Sequence, residues 1–258
     1  NKSSLEEAKL ISETYFRQRI HGNGLSWYSY SKGIHDKTSN QIINSLIGNE
    51  KKEQKKIIFF SSSEDEFESL GDKWYQGKEK LTQFQIIENI FQFAKINNYK
   101  LFIRIHPNFK TSSNRVKKKW NKFLKKFNSK NIKIISHDSK ISSYGMINRM
   151  DLVVVYGSTI GIEAAYLGKA VIVTGPSYYS NINAKIYVID NLVALKKLMS
   201  QIIKNEKINS NQISQSTLSY GYWCYKSGIK FKNYIPYSPL NGKYFGKNID
   251  LIFAILIK

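Results

Sequence analysis

The chain has 258 residues, 41% of them hydrophobic, with 40 Lys+Arg against 19 Asp+Glu for a net charge of +21. That length and apolar content support one large α/β domain with appendages, and the 17 Tyr and 14 Phe argue against a disordered chain. The charge calls for an anionic partner: nucleic acid, an anionic membrane face or a phosphorylated substrate. Cys224 stands alone, which excludes an intrachain disulfide and fits a reducing compartment, and no run of eighteen apolar residues is present to span a bilayer.

Leu5–Ile20 reads as a helix, with Ala8, Ile11, Tyr15 and Arg19 spaced along a face. From His21 to Lys56 the periodicity fails at Gly22, Gly24 and Gly33, so residues 1–56 are expected to form a helix followed by a hinge, or the remnant of a preceding domain. From Ile57 the pattern is regular. Strands are predicted at Ile57–Phe60, Leu101–Ile105, Ile132–Ile135, Leu152–Val155, Val171–Val173 and Ile186–Ile189. Helices are predicted between and after them at Gln83–Lys95, Arg115–Phe127, Ile141–Arg149, Ile160–Leu167 and Leu192–Ile203. This alternation over residues 57–210 implies a doubly wound, mostly parallel Rossmann-like sheet. Residues 211–258 read as an irregular or helical tail packed on that domain, with Ile249–Ile257 as a final helix or, alternatively, an interfacial anchor.

In an open parallel sheet, ligands bind beyond the carboxyl ends of the strands. Three such loops carry polar residues here. Ser61-Ser62-Ser63 follows the first strand, with Glu64, Asp65 and Glu66 after it as a solvated helix start. His106-Pro107 follows the second strand, preceded by Arg104. Gly157-Ser158-Thr159 follows the fourth, at the start of a helix that carries Glu163. The last turn offers hydroxyls and backbone N–H groups to an anion, unless Ser158 or Thr159 simply caps the helix. Glu163 lies one turn on from Thr159, where a carboxylate can accept from the hydroxyls of a ribose adjoining a bound phosphate; its ordinary role would be a solvated residue or an ion pair. His106 can donate to or protonate a phosphate oxygen, or else cap the strand end. No Cys/His cluster supports a metal site, and the glycines fit neither a Walker A loop nor GxGxxG. The lysines of Arg115–Phe127 surround an aromatic inner stripe, which suits a solvated face or an anionic membrane better than nucleic acid.

Ser62-Ser63-Glu64-Asp65-Glu66-Phe67, Arg104-Ile105-His106-Pro107-Asn108 and Gly157–Ala165 occur in that order, and the tail runs from Tyr220-Gly221-Tyr222 to Phe245-Gly246. In these features residues 57–246 resemble the C-terminal half of capsule-polysaccharide-biosynthesis glycosyltransferases. That family is similar in fold to bacterial Kdo transferases and sialyltransferases of the GT-B type. The resemblance implies a donor-binding domain for a nucleotide-activated sugar, probably-free of any metal requirement, with a CMP-linked, Kdo-like donor. It implies that His106 contacts the donor phosphate and assists its departure, and that Gly157, Ser158 and Thr159 hold the same phosphate. Glu163 would lie near the ribose, with Arg104, Ser62 and Ser63 at the rim of the nucleotide site. It also implies a lipid-linked or polysaccharide acceptor and a cytoplasmic enzyme, peripheral at the anionic inner face of the membrane, with no specific nucleic acid. A polyol-phosphate transferase of the teichoic-acid type, using a CDP-polyol, resembles this half closely and stays open, as does a non-catalytic nucleotide- or polyanion-binding module. In this fold the acceptor site lies in an N-terminal domain. Only residues 1–56 precede Ile57 and position 1 is Asn, so a fragment is expected.

Overall fold

The computed structural model describes residues 2–22, 36–48, 54–63, 79–127, 129–182, 184–205, 215–227, 234–236 and 241–250. Glu64, Asp65, Glu66 and Phe67 lie outside them, as do residues 251–257 of the predicted last helix. The chain divides into two compact units, Ile34–Tyr220 and a discontinuous one made of Asn1–Gly33 and Gly221–Lys258.

The larger unit holds α2 (Asp36–Ile47), β1 (Lys56–Phe60), α3 (Gln83–Ile96), β2 (Lys100–Arg104), α4 (Asn114–Leu124), β3 (Ile132–Ile135), α5 (Ser143–Asn148), β4 (Leu152–Val155), α6 (Ile160–Tyr166), β5 (Val171–Val173), β6 (Ile186–Val188) and α7 (Leu192–Lys204). Its strands pair in the order β3-β2-β1-β4-β5-β6, all parallel. The chain order therefore reverses between β1 and β4, and that reversal is where an open α/β sheet presents a ligand crevice. Ile57–Phe60, Leu101–Ile103, Leu152–Val155 and Val171–Val173 are all buried, as continuous apolar runs covered on both faces should be. At the edge, β3 buries Ile132 and Ile135 but exposes Lys133 and Ile134.

One face of the sheet is covered by α3, α4 and α7, whose apolar stripes join a single core with the strands. Phe84 stacks on Phe123 with ring centroids 4.0 Å apart and meets Trp120 edge-on at 4.9 Å, so α3 and α4 are locked together by aromatics. Each helix starts on a side-chain cap: Thr82 and Gln85 form a capping box on α3, Ser113 caps α4 and Asn191 caps α7.

Two expectations need correction. Residues 36–47, read as irregular, form α2: a polar sequence whose inward contact is made by Ile43 against Gly145 of α5, where a Cβ would come within 2.8 Å of Ile43 Cδ1. The buried Lys100 ammonium donates to the carbonyl of Ile47 at its C-terminus, and Ser39 Oγ accepts from Ser142 N at 2.8 Å. Tertiary packing thus overrides weak propensity. The tail, read as irregular or helical, contains α8 (Gln215–Lys226) and an antiparallel sheet of β7 (Tyr234–Pro236), β8 (Asn241–Tyr244) and β9 (Lys247–Asp250). Phe245 (φ 47) and Gly246 (φ 77) close β8 onto β9 through two left-handed residues, the geometry that suits a twisted hairpin. In the smaller unit α1 (Lys2–His21) backs onto Gly221, where a Cβ would lie 2.3 Å from Ser12 Oγ and 2.8 Å from Phe16 Cε2.

Candidate functional site

The carboxyl ends of β2, β1 and β4 lie side by side, and hydrogen bonds tie the loops that leave them into one edge. Ser61 N donates to Arg104 O at 3.1 Å, and His106 N returns a bond to Ser61 Oγ at 2.8 Å. Ser62 Oγ donates to Tyr156 O at 2.5 Å, joining the β1 loop to the β4 loop. Gln83, the first residue of α3, grips Ser62 from both sides: its Oε1 accepts from Ser62 N at 2.9 Å and its Nε2 donates to Ser62 O at 3.0 Å. Tyr156 is anchored in turn by its hydroxyl, which donates to Leu81 O at 3.0 Å. Ser62 is therefore buried with its hydroxyl turned to a carbonyl, while Ser63 is half-buried with Oγ 3.4 Å from His106 Nδ1.

His106 stands in extended backbone (φ −61, ψ 138) before Pro107, as a residue preceding proline should. Its Nδ1 accepts from Asn108 N at 3.2 Å, so it does cap the short 3₁₀ turn Pro107–Thr111. With Nδ1 an acceptor, the neutral ring carries its proton on Nε2, which makes Nε2–H the donor edge. A small cavity opens beside it, with Ser61, Ser63, His106 and Ser112 on its polar side and Phe109 and Trp120 on its apolar side.

Arg104 is drawn elsewhere. Its guanidinium donates to Ser136 O at 3.2 Å and Ser139 O at 3.0 Å, on the loop after β3. Burial lowers its pKa to about 10, and Asp138 opposes that shift. The Ser136 hydroxyl, first among several contacts, holds the Asp138 carboxyl below its usual value, with a Ser136 Oγ–Asp138 Oδ1 distance of 2.5 Å. The structure thus sets Arg104 on the far side of β2 from β1.

At the β4 loop, Gly157 takes a left-handed φ of 67 that turns the chain toward α6. Thr159 occupies the cap position of α6 in helical geometry (φ −59, ψ −20) with no side-chain cap bond, so the capping role weighed for Ser158 and Thr159 is not what holds this helix start. A residue outside the predicted set does that work. The buried Tyr179 hydroxyl donates to the Ser158 carbonyl, and Gly161 leaves the space for it: a Cβ there would lie 2.3 Å from Tyr179 Oη. Burial first, and Glu163 second, push the Tyr179 pKa up, which keeps the phenol a donor. Glu163 is 2% exposed, and Tyr144 Oη donates to its Oε2 at 2.8 Å. It is neither a solvated helix residue nor, among the described contacts, an ion pair.

His106 and Ser158 follow strands separated by β1 alone, which places their loops two strand spacings apart, about 10 Å. Sequence reasoning missed Gln83, Tyr144 and Tyr179. Only Gly161 offered a signal, being a glycine within the first turn of a helix. Among the described residues no group of three or more His, Cys, Asp or Glu side chains stands together, and no described helix is long and apolar enough to cross a membrane.

A parallel sheet in 3-2-1-4-5-6 order, with polar loops at its switch point, defines a Rossmann-like domain of the GT-B kind. Residues 76–182 match the family model described as "Capsule polysaccharide biosynthesis protein". This supports the resemblance over a stretch that includes His106-Pro107 and Gly157–Ala165 but begins beyond Ser62-Ser63. No curated protein matches in sequence. Among solved structures, UDP-GlcNAc 2-epimerase from Methanocaldococcus jannaschii is similar at 17% identity and a TM-score of 0.50, over 70% of this chain and 46% of that one. The beta Kdo 2,4 transferase KpsC from Thermosulfurimonas dismutans is similar at 11% identity and a TM-score of 0.37, over 81% of this chain and 67% of that one. The wall teichoic acid polymerase TagF is similar at 13% identity and 0.41, over 74% and 43%. At such identities the likeness is one of fold. The chain spans about half the length of the first structures it matches, 46% of one epimerase.

Proposed function

We propose that this chain is the donor-binding part of a glycosyltransferase, which takes a sugar from a nucleotide-activated donor for a capsule or other surface polysaccharide. The observation that carries the reading is the bonded edge at the switch point, where Ser61–His106 and Ser62–Tyr156 join three loops into one rim. The family match over residues 76–182 supplies the polysaccharide context. The donor is CMP-linked and Kdo-like in this proposal, and the acceptor is a lipid-linked or growing polysaccharide. The protein works at the anionic inner face of the membrane.

The chemistry asked of the rim is electrostatic. Departure of a nucleoside phosphate leaves negative charge on a phosphate oxygen, and Nε2–H of His106 is the donor that meets it. The turn at Gly157-Ser158-Thr159, fixed by Tyr179, offers hydroxyl and backbone donors to the same phosphate. Glu163, oriented by Tyr144, accepts from the ribose hydroxyls. These donors supply the positive field with no metal required.

Calorimetric titration of the chain with CMP, CDP, UDP and GDP tests this, repeated with His106→Ala and Ser158→Ala. A cytidine nucleotide should bind, and each substitution should weaken it by about tenfold, or about 1.4 kcal/mol. CMP preferred over CDP supports a Kdo-type donor, whereas CDP preferred moves the reading to polyol-phosphate transfer. If no nucleotide binds, or both variants bind as tightly as the parent, the reading falls.

A further inference from the structure

The most strongly charged surface of the molecule lies away from the candidate site. On α4 and the turn that ends it, Arg115, Lys118, Lys119, Lys122, Lys125 and Lys126 are all exposed. Their spacing of three and four residues sets them on one stripe of the helix, opposite the buried Trp120, Phe123 and Phe127. In the sequence from Arg115 to Lys140 the sole acid is Asp138, which is engaged with Ser136 and His137. Lys126 does pair with Glu88 of α3, at 3.2 Å. In the same helical layer α7 exposes Lys196 and Lys197.

We propose that the α3–α4–α7 layer is a membrane-docking face, which lies on an anionic phospholipid surface with the α4 stripe as its principal contact. This deepens the peripheral attachment proposed above and does not depend on which nucleotide binds. Three observations select a lipid surface over another polyanion. The stripe runs the length of α4, from its start beside the β2 loop toward the opposite end of the sheet, and exposed Lys130 and Lys133 continue it there. Charge laid out in that direction leads away from the rim, so it does not serve as a funnel for substrate.

Next, the aromatics of this layer are spent within the fold. Phe84 stacks on Phe123, and Trp120, Phe123 and Phe127 are buried, so α4 presents no ring for a base to stack on. Finally, the stripe is almost wholly lysine. Ammonium groups act as mobile point charges on a field of phosphates and lack the planar fork that Arg uses for bidentate recognition. Helices packed about 10 Å apart carry the charge across a broad face rather than a groove. Attraction of this kind sums over several lysines near an anionic leaflet and is screened by salt.

The test is co-sedimentation of the full chain with vesicles of phosphatidylcholine alone or with about one-third phosphatidylglycerol. Binding is expected to the anionic vesicles alone and to be released by raised salt. The variant Lys118→Gln/Lys119→Gln/Lys122→Gln/Lys125→Gln should lose about tenfold or more in partitioning, since each lysine acts near the surface. A control with equal charge removed from the other unit, Lys9→Gln/Arg17→Gln/Lys226→Gln/Lys247→Gln, should change it about threefold or less. Equal losses in the two variants would show that net charge alone is sensed and would overturn the proposal. So would indifference of the parent to anionic vesicles, or retention on single-stranded nucleic acid in their place. CMP titration of the same variants reads the donor site separately: unchanged affinity shows them folded, and its absence in the parent speaks only against the donor reading.

Discussion

Gly161 and Tyr179 make the sharpest test of how the β4 turn is held. Gly161→Ala would set a Cβ 2.3 Å from Tyr179 Oη, 3.1 Å from Tyr179 Cζ and 3.0 Å from Val155 Cγ2. Tyr179 is 1% exposed and its ring is not the free end of a flexible chain, so it cannot swing away. An overpacked core position of this kind costs about 1–3 kcal/mol. Tyr179→Phe acts differently: it takes the donor from the Ser158 carbonyl, at a cost of about 1–3 kcal/mol for a buried group left unsatisfied. In the double variant the closest atom of the collision is gone, and only the 3.1 Å approach to the ring carbon remains. The two costs should therefore fall short of adding by about 1–2 kcal/mol. Urea midpoints of the four proteins give the cycle, and nucleotide titration of the same set reports whether the turn has moved. Costs that add to within about 0.5 kcal/mol would show that Tyr179 does not pin this turn through Gly161.

Two further predictions bear on buried polar groups. Arg104→Lys keeps the charge but loses the fork that serves Ser136 O and Ser139 O, so denaturation should show a loss of about 1–3 kcal/mol. Nucleotide affinity should stay within about twofold, and a loss of tenfold would return Arg104 to the donor site. The second concerns alkaline pH. Because folding raises the Tyr179 pKa above its ordinary 10, the unfolded chain releases that proton first. The associated stability is intact below pH 10 and is lost as pH rises toward the folded value, at no more than about 1.4 kcal/mol per pH unit. Tyr179→Phe should flatten the alkaline limb of a stability profile, and a limb of unchanged slope would contradict the burial.

The parts of this protein legible in its sequence are those governed by periodicity. Val153, Val154 and Val155, or Phe102 and Ile103, can only be strands buried on both faces, and the helices between them follow from stripes such as Trp120, Phe123 and Phe127. Strand ends then locate His106, Ser158 and Thr159 by topology alone. α2 escaped because its stability is borrowed: Ile43 fits over Gly145, and Lys100 serves the carbonyl of Ile47 from far along the chain. The antiparallel β7–β8–β9 sheet escaped because short strands rich in Asn, Gly and Lys carry no clear alternation.

The same distinction divides the site itself. Groups that would face a ligand sit in loops at strand ends, where residue type and position can be read together. Groups that hold those loops come from elsewhere: Gln83 acts on Ser62, Tyr144 on Glu163 and Tyr179 on Ser158, across separations of 19 to 21 residues. A lone Tyr or Gln has no period and no motif, so its role exists only once the fold brings it home. Gly161 is the exception that shows what to look for. A glycine inside a helix costs about 1 kcal/mol against alanine, and here that cost is offset by the approach of a phenol that no other residue would admit. Read as a demand for space rather than as a break, it marks the first turn of α6 as a place where something is held close, and the thing held is the turn offered to the phosphate.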